Sequence, residues 1–163
     1  MAATALFMFW AGFAAAADIR YPRTGPVAFD VHLANGWSAN PDTTRSLNLT
    51  APDNAAAISL TLEQQSASKA ARTLDQIANQ VLTGNNTAAF KKEPASIGEI
   101  AAEAYYSQIL NSGSVPLQLR LILAKPLRKY LASELIVSRT QLNDAEQASL
   151  DAMMKSIQLT GAK

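Results

Sequence analysis

The chain contains no cysteine in 163 residues and a single histidine, His32. Without cysteine there can be no disulfide, thiolate metal site, cysteine nucleophile or lipid-modified cysteine, and stability must come from core packing. With one histidine, a Ser/His/Asp arrangement would have to use His32, which sits within an alternating segment on the side opposite Val31 and Leu33. That placement reads as a surface or partly covered histidine. The G-x-S-x-G, H-E-x-x-H and G-x-x-x-x-G-K-[ST] patterns are absent, and the 13 acidic residues include no D-x-D or E-x-x-H spacing suited to a metal. No catalytic residue, metal site or cofactor is therefore expected. Charge is scarce in excess as well: 14 basic residues face 13 acidic ones, which argues against a nucleic-acid partner and gives no polybasic membrane anchor.

What is present begins with an uncharged apolar run from Ala5 to Ala17. It is too short to span a bilayer as a helix, and Ala15 and Ala17 stand at the −3 and −1 positions of an A-x-A cleavage site. Residues 1–17 read as a secretory signal peptide, although the opening MAAT lacks the usual Lys or Arg. The mature chain is then expected to start at Asp18 and to be periplasmic or secreted. Its 146 residues suit a single domain.

Residues 18–26, with two prolines and a glycine, read as a loose lead-in to a domain over 27–163. Val27, Phe29, Val31 and Leu33 alternate with Ala28, Asp30 and His32, a strand with one buried face, and Asn35-Gly36 turns it into Trp37. Ser46–Thr50 and Ala57–Leu62 are further strands, joined through Pro52-Asp53-Asn54. Ala70, Leu74, Ile77, Ala78, Val81 and Leu82 then follow helical spacing over Ser68–Leu82, with Ser66 or Ser68 as cap and Gly84 as stop. Strands return at Thr87–Lys92 and, after a turn at Pro94, at Ile97–Leu110.

A hairpin follows between Leu117–Leu123 and Tyr130–Ser138. Centred on Leu127, it sets Leu119 opposite Leu135, Leu123 opposite Leu131 and Leu117 opposite Val137, with Arg120 facing Glu134 on the other side. Asn143 and Glu146 form a capping box for a last helix whose apolar stripe is Leu150, Met153, Met154 and Ile157.

This layout resembles the PsbP-like superfamily, which includes extrinsic photosystem subunits, Ran-binding Mog-type proteins and periplasmic DcrB-type proteins. The segments that carry it are the opening strand into Asn35-Gly36-Trp37, the Ala57–Leu62 strand before the Leu74–Leu82 helix, and the closing Tyr130–Leu159. The resemblance implies an α+β fold, an antiparallel sheet flanked by helices as an α/β/α sandwich. It also implies a non-enzymatic accessory or binding role, soluble here because the anchoring cysteine of DcrB-type proteins is missing. An envelope protein is the partner this reading favours. It transfers no functional residue.

The site candidates come from the residues alone. Lys125, Arg128 and Lys129 cluster at the hairpin tip, among five basic residues (with Arg120 and Arg139) set against only Glu134, and suit an acidic partner. The alternative for them is an edge kept soluble by charge. Trp37 is the second candidate for partner binding, with a core position as its alternative. Two rival functions remain. A small-molecule or lipid carrier would hold a cavity lined by Leu74, Ile77, Leu150 and Met153. A hydrolase would bring two carboxylates into a cleft, at least one of them strongly shifted.

Overall fold

The computed structural model describes residues 17–41, 46–110 and 116–161, so nearly all of the apolar N-terminal run lies outside the described residues. The chain order is β1 (Asp18–Tyr21), β2 (Ala28–His32), β3 (Ser38–Pro41), β4 (Ser46–Thr50), β5 (Ala56–Gln64), α1 (Ala67–Ala70) and α2 (Leu74–Gly84). It continues with β6 (Lys91–Ile97), β7 (Ile100–Leu110), β8 (Pro116–Ala124), β9 (Tyr130–Arg139), α3 (Asp144–Lys155) and β10 (Ile157–Thr160). Seven strands form one antiparallel sheet in the order β3-β4-β5-β9-β8-β7-β6, and β1-β2-β10 form a second, smaller one. This is the expected α+β architecture.

Alternation along the central strands sends side chains into two cores, one on each face. On one face Leu119, Leu121, Leu123, Leu131 and Tyr105 meet Ile77, Ala78 and Leu82 of α2. On the other, Ile122, Ala124, Ala132 and Ile136 meet Leu150 and Met153 of α3 and the small sheet's Phe29, Val31, Ile157 and Leu159. The small sheet and α3 together cover what a helix layer alone covers in a simple α/β/α sandwich.

Several sequence expectations change in detail. The 18–26 segment is no loose lead-in at its start, because β1 pairs with β2 from Asp18↔His32 to Tyr21↔Phe29. The single helix over Ser68–Leu82 is two: α1 is one turn, and α2 begins afresh at Leu74. Thr73, rather than Ser66 or Ser68, caps α2. Its hydroxyl accepts from Gln76 N at 3.2 Å while Gln76 Oε1 accepts from Thr73 N at 2.9 Å, a complete capping box. Pro94 lies within β6 rather than in a turn. β6 is the last strand of its sheet, and an edge tolerates a residue without an N–H. The turn falls at Gly98, whose φ of +58° favours glycine.

The β8–β9 register is Leu119↔Val137, Arg120↔Ile136, Leu121↔Leu135 and Ile122↔Glu134. This is two residues from the expected pairing. Tyr130 N bonds Leu127 O at 2.9 Å, so the tight turn sits later than a loop centred on Leu127. A two-residue shift preserves which side chains share a face, so the leucines still line one side and Arg120 and Glu134 the other, now as diagonal neighbours. Asn143 and Glu146 make the expected capping box, with bonds of 2.9 and 2.8 Å. Ile157 does not extend the α3 stripe, because the helix has ended and Ile157 opens β10.

Candidate functional site

α2 packs against β7 and β8, so it shields only one half of its face of the large sheet. Apart from Leu131 of β9, which also meets α2, the other half, on β9, β5, β4 and β3, is left open by that helix. Register lays this open half out in rows: Ser133–Thr61–Ser46, Leu135–Ser59–Asn48–Asn40 and Val137–Ala57–Thr50–Ser38. All are half-buried or exposed, while Leu47, Leu49, Ile58 and Leu60 of the same strands point into the opposite core. The open face is thus a terrace of small uncharged side chains.

Where this terrace meets α2 there is a groove of about 550 Å³. Leu121, Leu123, Leu131 and Leu135 form its sheet side, and Ile77 and Val81 its helix side. A volume of this size matches ligand clefts, which run to roughly 300–1,000 Å³. Lys69, Arg72 and Glu63 stand on its rim, and a shallower depression shares Thr61, Glu63 and Lys69 with it. Lys69 Nζ pairs with Glu63 Oε1 at 3.0 Å, and Arg72 Nη1 donates to Gln80 Oε1.

Four buried side-chain polar atoms among the described residues lack a hydrogen-bond partner. Three of them, Gln65 Nε2, Gln65 Oε1 and Arg72 Nε, belong to the stretch that joins β5 to α2. Such a group costs roughly 1–3 kcal/mol unless something satisfies it.

The hairpin tip reaches the same stretch. Lys125 Nζ donates to Ala70 O at 2.9 Å and to Arg72 O, the carbonyls left open where α1 stops, while Gln65 N donates to Lys129 O at 2.7 Å. Lys125 is therefore half-buried and engaged with the end of α1 at the base of the expected basic tip. Arg128 and Lys129 are exposed beside it. Lys125→Ala should lower stability by about 2 kcal/mol, whereas Arg128→Ala with Lys129→Ala should change it by less than about 0.5 kcal/mol. Urea denaturation of both variants checks this.

Trp37 takes the core position given above as its alternative. It is 2% exposed in the core, and its Nε1 donates to Ser149 Oγ of α3 at 2.9 Å. Arg139, expected in the same basic run, instead pairs with Glu146 Oε1 at 3.1 Å and donates to Asp53 O. Tyr105 and Tyr106 take opposite faces as their strand requires, Tyr105 towards α2 and Tyr106 beside Arg120. The proposed carrier cavity does not form, since Leu74 and Ile77 lie on one side of the sheet and Leu150 and Met153 on the other. Of those four, only Ile77 lines the groove.

Carboxylates do converge in two places. Asp75 and Glu103 share Lys92 Nζ, at 2.6 and 3.0 Å, and both accept from the Tyr105 hydroxyl. The Lys92 and Tyr105 hydrogen bonds hold the Asp75 carboxyl below its ordinary range, and Asp75 and Glu103 in turn raise Lys92. Asp53, near Glu146 and Arg139, is lowered chiefly by the Ala55 amide. The cluster at Asp75 ties the start of α2 to the β6–β7 edge. Among the described residues no group of three potential His, Cys, Asp or Glu metal ligands occurs, and no helix is long and apolar enough to cross a membrane.

The two-faced antiparallel sheet with α2 on one side and α3 on the other is the PsbP-like fold. No family model matches the sequence, and no curated protein matches it by sequence. Solved structures do match. The solution structure of the cyanobacterial PsbP protein CyanoP from Synechocystis sp. PCC 6803 superposes with a TM-score of 0.59 at 12% identity, over 91% of this chain and 96% of that one. LpqN of Mycobacterium tuberculosis, described as involved in cell envelope biogenesis, gives 0.55 at 15% identity over 88% and 90%. The Ran-binding protein Mog1p of Saccharomyces cerevisiae gives 0.50 at 11% identity over 87% and 95%. At these identities the likeness is one of fold.

Proposed function

We propose that the protein is a non-enzymatic accessory or binding protein of the cell envelope, and that it docks an envelope protein in the groove beside α2. The observation that carries this reading is the groove itself: an apolar floor with the cationic side chains of Lys69 and Arg72 at one end. Lys69, Arg72, Arg128 and Lys129 outnumber Glu63 there, so the complementary partner segment is apolar with acidic residues at one end. Among the fold neighbours, LpqN, described as involved in cell envelope biogenesis, supports the envelope setting, and Mog1p, described as Ran-binding, supports a binding role.

The test is affinity capture from the native envelope fraction with three forms of the mature chain. Ser133→Trp fills the groove from a half-buried position opposite Thr61 without entering either core. It should abolish capture that the unmodified chain and a His32→Ala control on the small sheet retain. Equal capture by Ser133→Trp would move the site off the groove. Co-purification of a small amphiphile, with no protein captured, would favour the carrier reading instead.

The envelope assignment rests on the leader-like N terminus. β1 starts at Asp18 and Ala17 O accepts from Leu33 N at 3.0 Å, so cleavage after Ala17 would leave the whole strand intact. Expressed with its leader in a bacterium, the exported protein should have the mass of residues 18–163. Retention of residues 1–17 would contradict this part of the reading.

A further inference from the structure

The groove runs the whole length of α2. Its helix side passes from Arg72, before the first turn, through Ile77 and Val81 to Gly84 and Asn85 at the last. Along the sheet side, Leu131, Ser133 and Leu135 of β9 stand opposite Glu63, Thr61 and Ser59 of β5. Asp75 at the start of α2 accepts from the Tyr105 hydroxyl at 2.8 Å, and Thr87, just past its end, donates to Gln108 O at 2.9 Å. The helix therefore follows β7 in the same direction. With 11 residues it is roughly 16 Å long. The strip beside it, on β9 and β5, is two strands or about 10 Å wide, which is the width of one helix. Small side chains at Ser59, Thr61 and Ser133 let a backbone come close to that strip, and at Gly84 a side chain would meet nothing within 4 Å.

We propose that the segment docked here is an amphipathic α-helix that lies on β9 and β5 antiparallel to α2, with its C-terminal end at Lys69 and Arg72. This rests on the docking reading above and specifies its partner. β9 and β5 each have a strand on both sides, so their peptide groups are used within the sheet. An extended segment on this face would bury its own N–H and C=O groups without partners, whereas a helix satisfies its own. Charge sets the direction. The last turn of a helix carries partial negative charge and favours cations, and its first turn repels them. Lys69 and Arg72 stand at one end of the groove, with Arg128 and Lys129 exposed at the hairpin tip. The carboxylates near that end are paired, Glu63 with Lys69 at 3.0 Å and Asp75 with Lys92 at 2.6 Å. The partner sequence then has apolar residues at i, i+3, i+4 and i+7 and acidic residues in its last turn.

The probe is a synthetic fluorescein-labelled peptide of about fourteen residues, with leucines at those spacings and glutamates in its last turn. Fluorescence anisotropy should show saturable one-to-one binding to the mature chain, weakened about tenfold or more by Ser133→Trp. The amide NMR spectrum confirms that this variant folds. A proline at the centre of the peptide keeps the leucines and breaks the helix, and should weaken binding about tenfold or more. Moving the glutamates to the first turn should weaken it about threefold or more. A nitroxide at the peptide's C terminus should broaden the amide signals of Lys69 and Arg72, and one at its N terminus those of Gly84 and Asn85. No saturable binding, equal affinity for the proline peptide, or broadening with the two ends exchanged would each overturn the proposal. The docking reading is judged separately: envelope capture lost in Ser133→Trp would uphold it even where the peptides overturn the helix.

Discussion

Glu134→Gln is expected to stabilise the protein increasingly as pH rises, with little change at pH 4 and a gain of roughly 5 kcal/mol at pH 9. Glu134 is 3% exposed on the α3 side of β9. Burial pushes its carboxyl up to about 8 from an ordinary 4.5, with the Arg120 charge opposing part of the rise. A carboxyl raised in the folded state binds its proton more tightly there than in the unfolded chain. Folding is therefore unpenalised below about 4.5 and is penalised progressively up to about 8, where the penalty becomes complete. Glutamine keeps the shape and does not titrate, so it escapes that loss. Urea denaturation of both forms from pH 4 to 9 measures the difference. A difference independent of pH would show that Glu134 is already ionised in the fold.

Trp37→Ala is expected to cost about 3–5 kcal/mol, a large share of the roughly 5–15 kcal/mol that holds a domain together. The ring fills the core beneath α3, and its indole N–H has a partner in Ser149. Trp37→Phe keeps most of the packing and loses that bond, so about 1–2 kcal/mol is expected. In Ser149→Ala the Trp37→Phe change should cost less, since the two share one interaction. A Trp37→Ala variant of unchanged stability would return Trp37 to the surface.

The parts of the fold that sequence makes legible are those fixed by neighbours in the chain. Asn143 and Glu146 are three residues apart and cap α3 by themselves, and Ser46–Thr50 alternates cleanly enough to mark β4 to the residue. The break between α1 and α2 had its own local signal, Thr73-x-x-Gln76, masked by the good helix formers Ala70, Ala71 and Arg72 before it. Pro94 could be placed in a strand only once β6 was known to be the sheet edge, which is a matter of topology. Lys125 looked like part of a basic patch because its carbonyl partners, Ala70 and Arg72, lie more than fifty residues away. The groove was invisible for the same reason. It exists because α2 covers β7, β8 and only the Leu131 end of β9, leaving β5 open, and no periodicity within α2 says which strands it will cover.

The central claim, that the α2 groove is the docking surface, is tested most directly by site-specific photocrosslinking in the native envelope. A crosslinking amino acid would replace Thr61 on the groove side, Arg128 at the hairpin tip, or His32 on the small sheet, one position at a time. All three side chains are half-buried or exposed, so the substitutions spare both cores. A discrete adduct from position 61, absent at position 32 and lost when Ser133→Trp fills the groove, is the expected result. Adducts from position 128 or 32 with none from 61 would contradict the account.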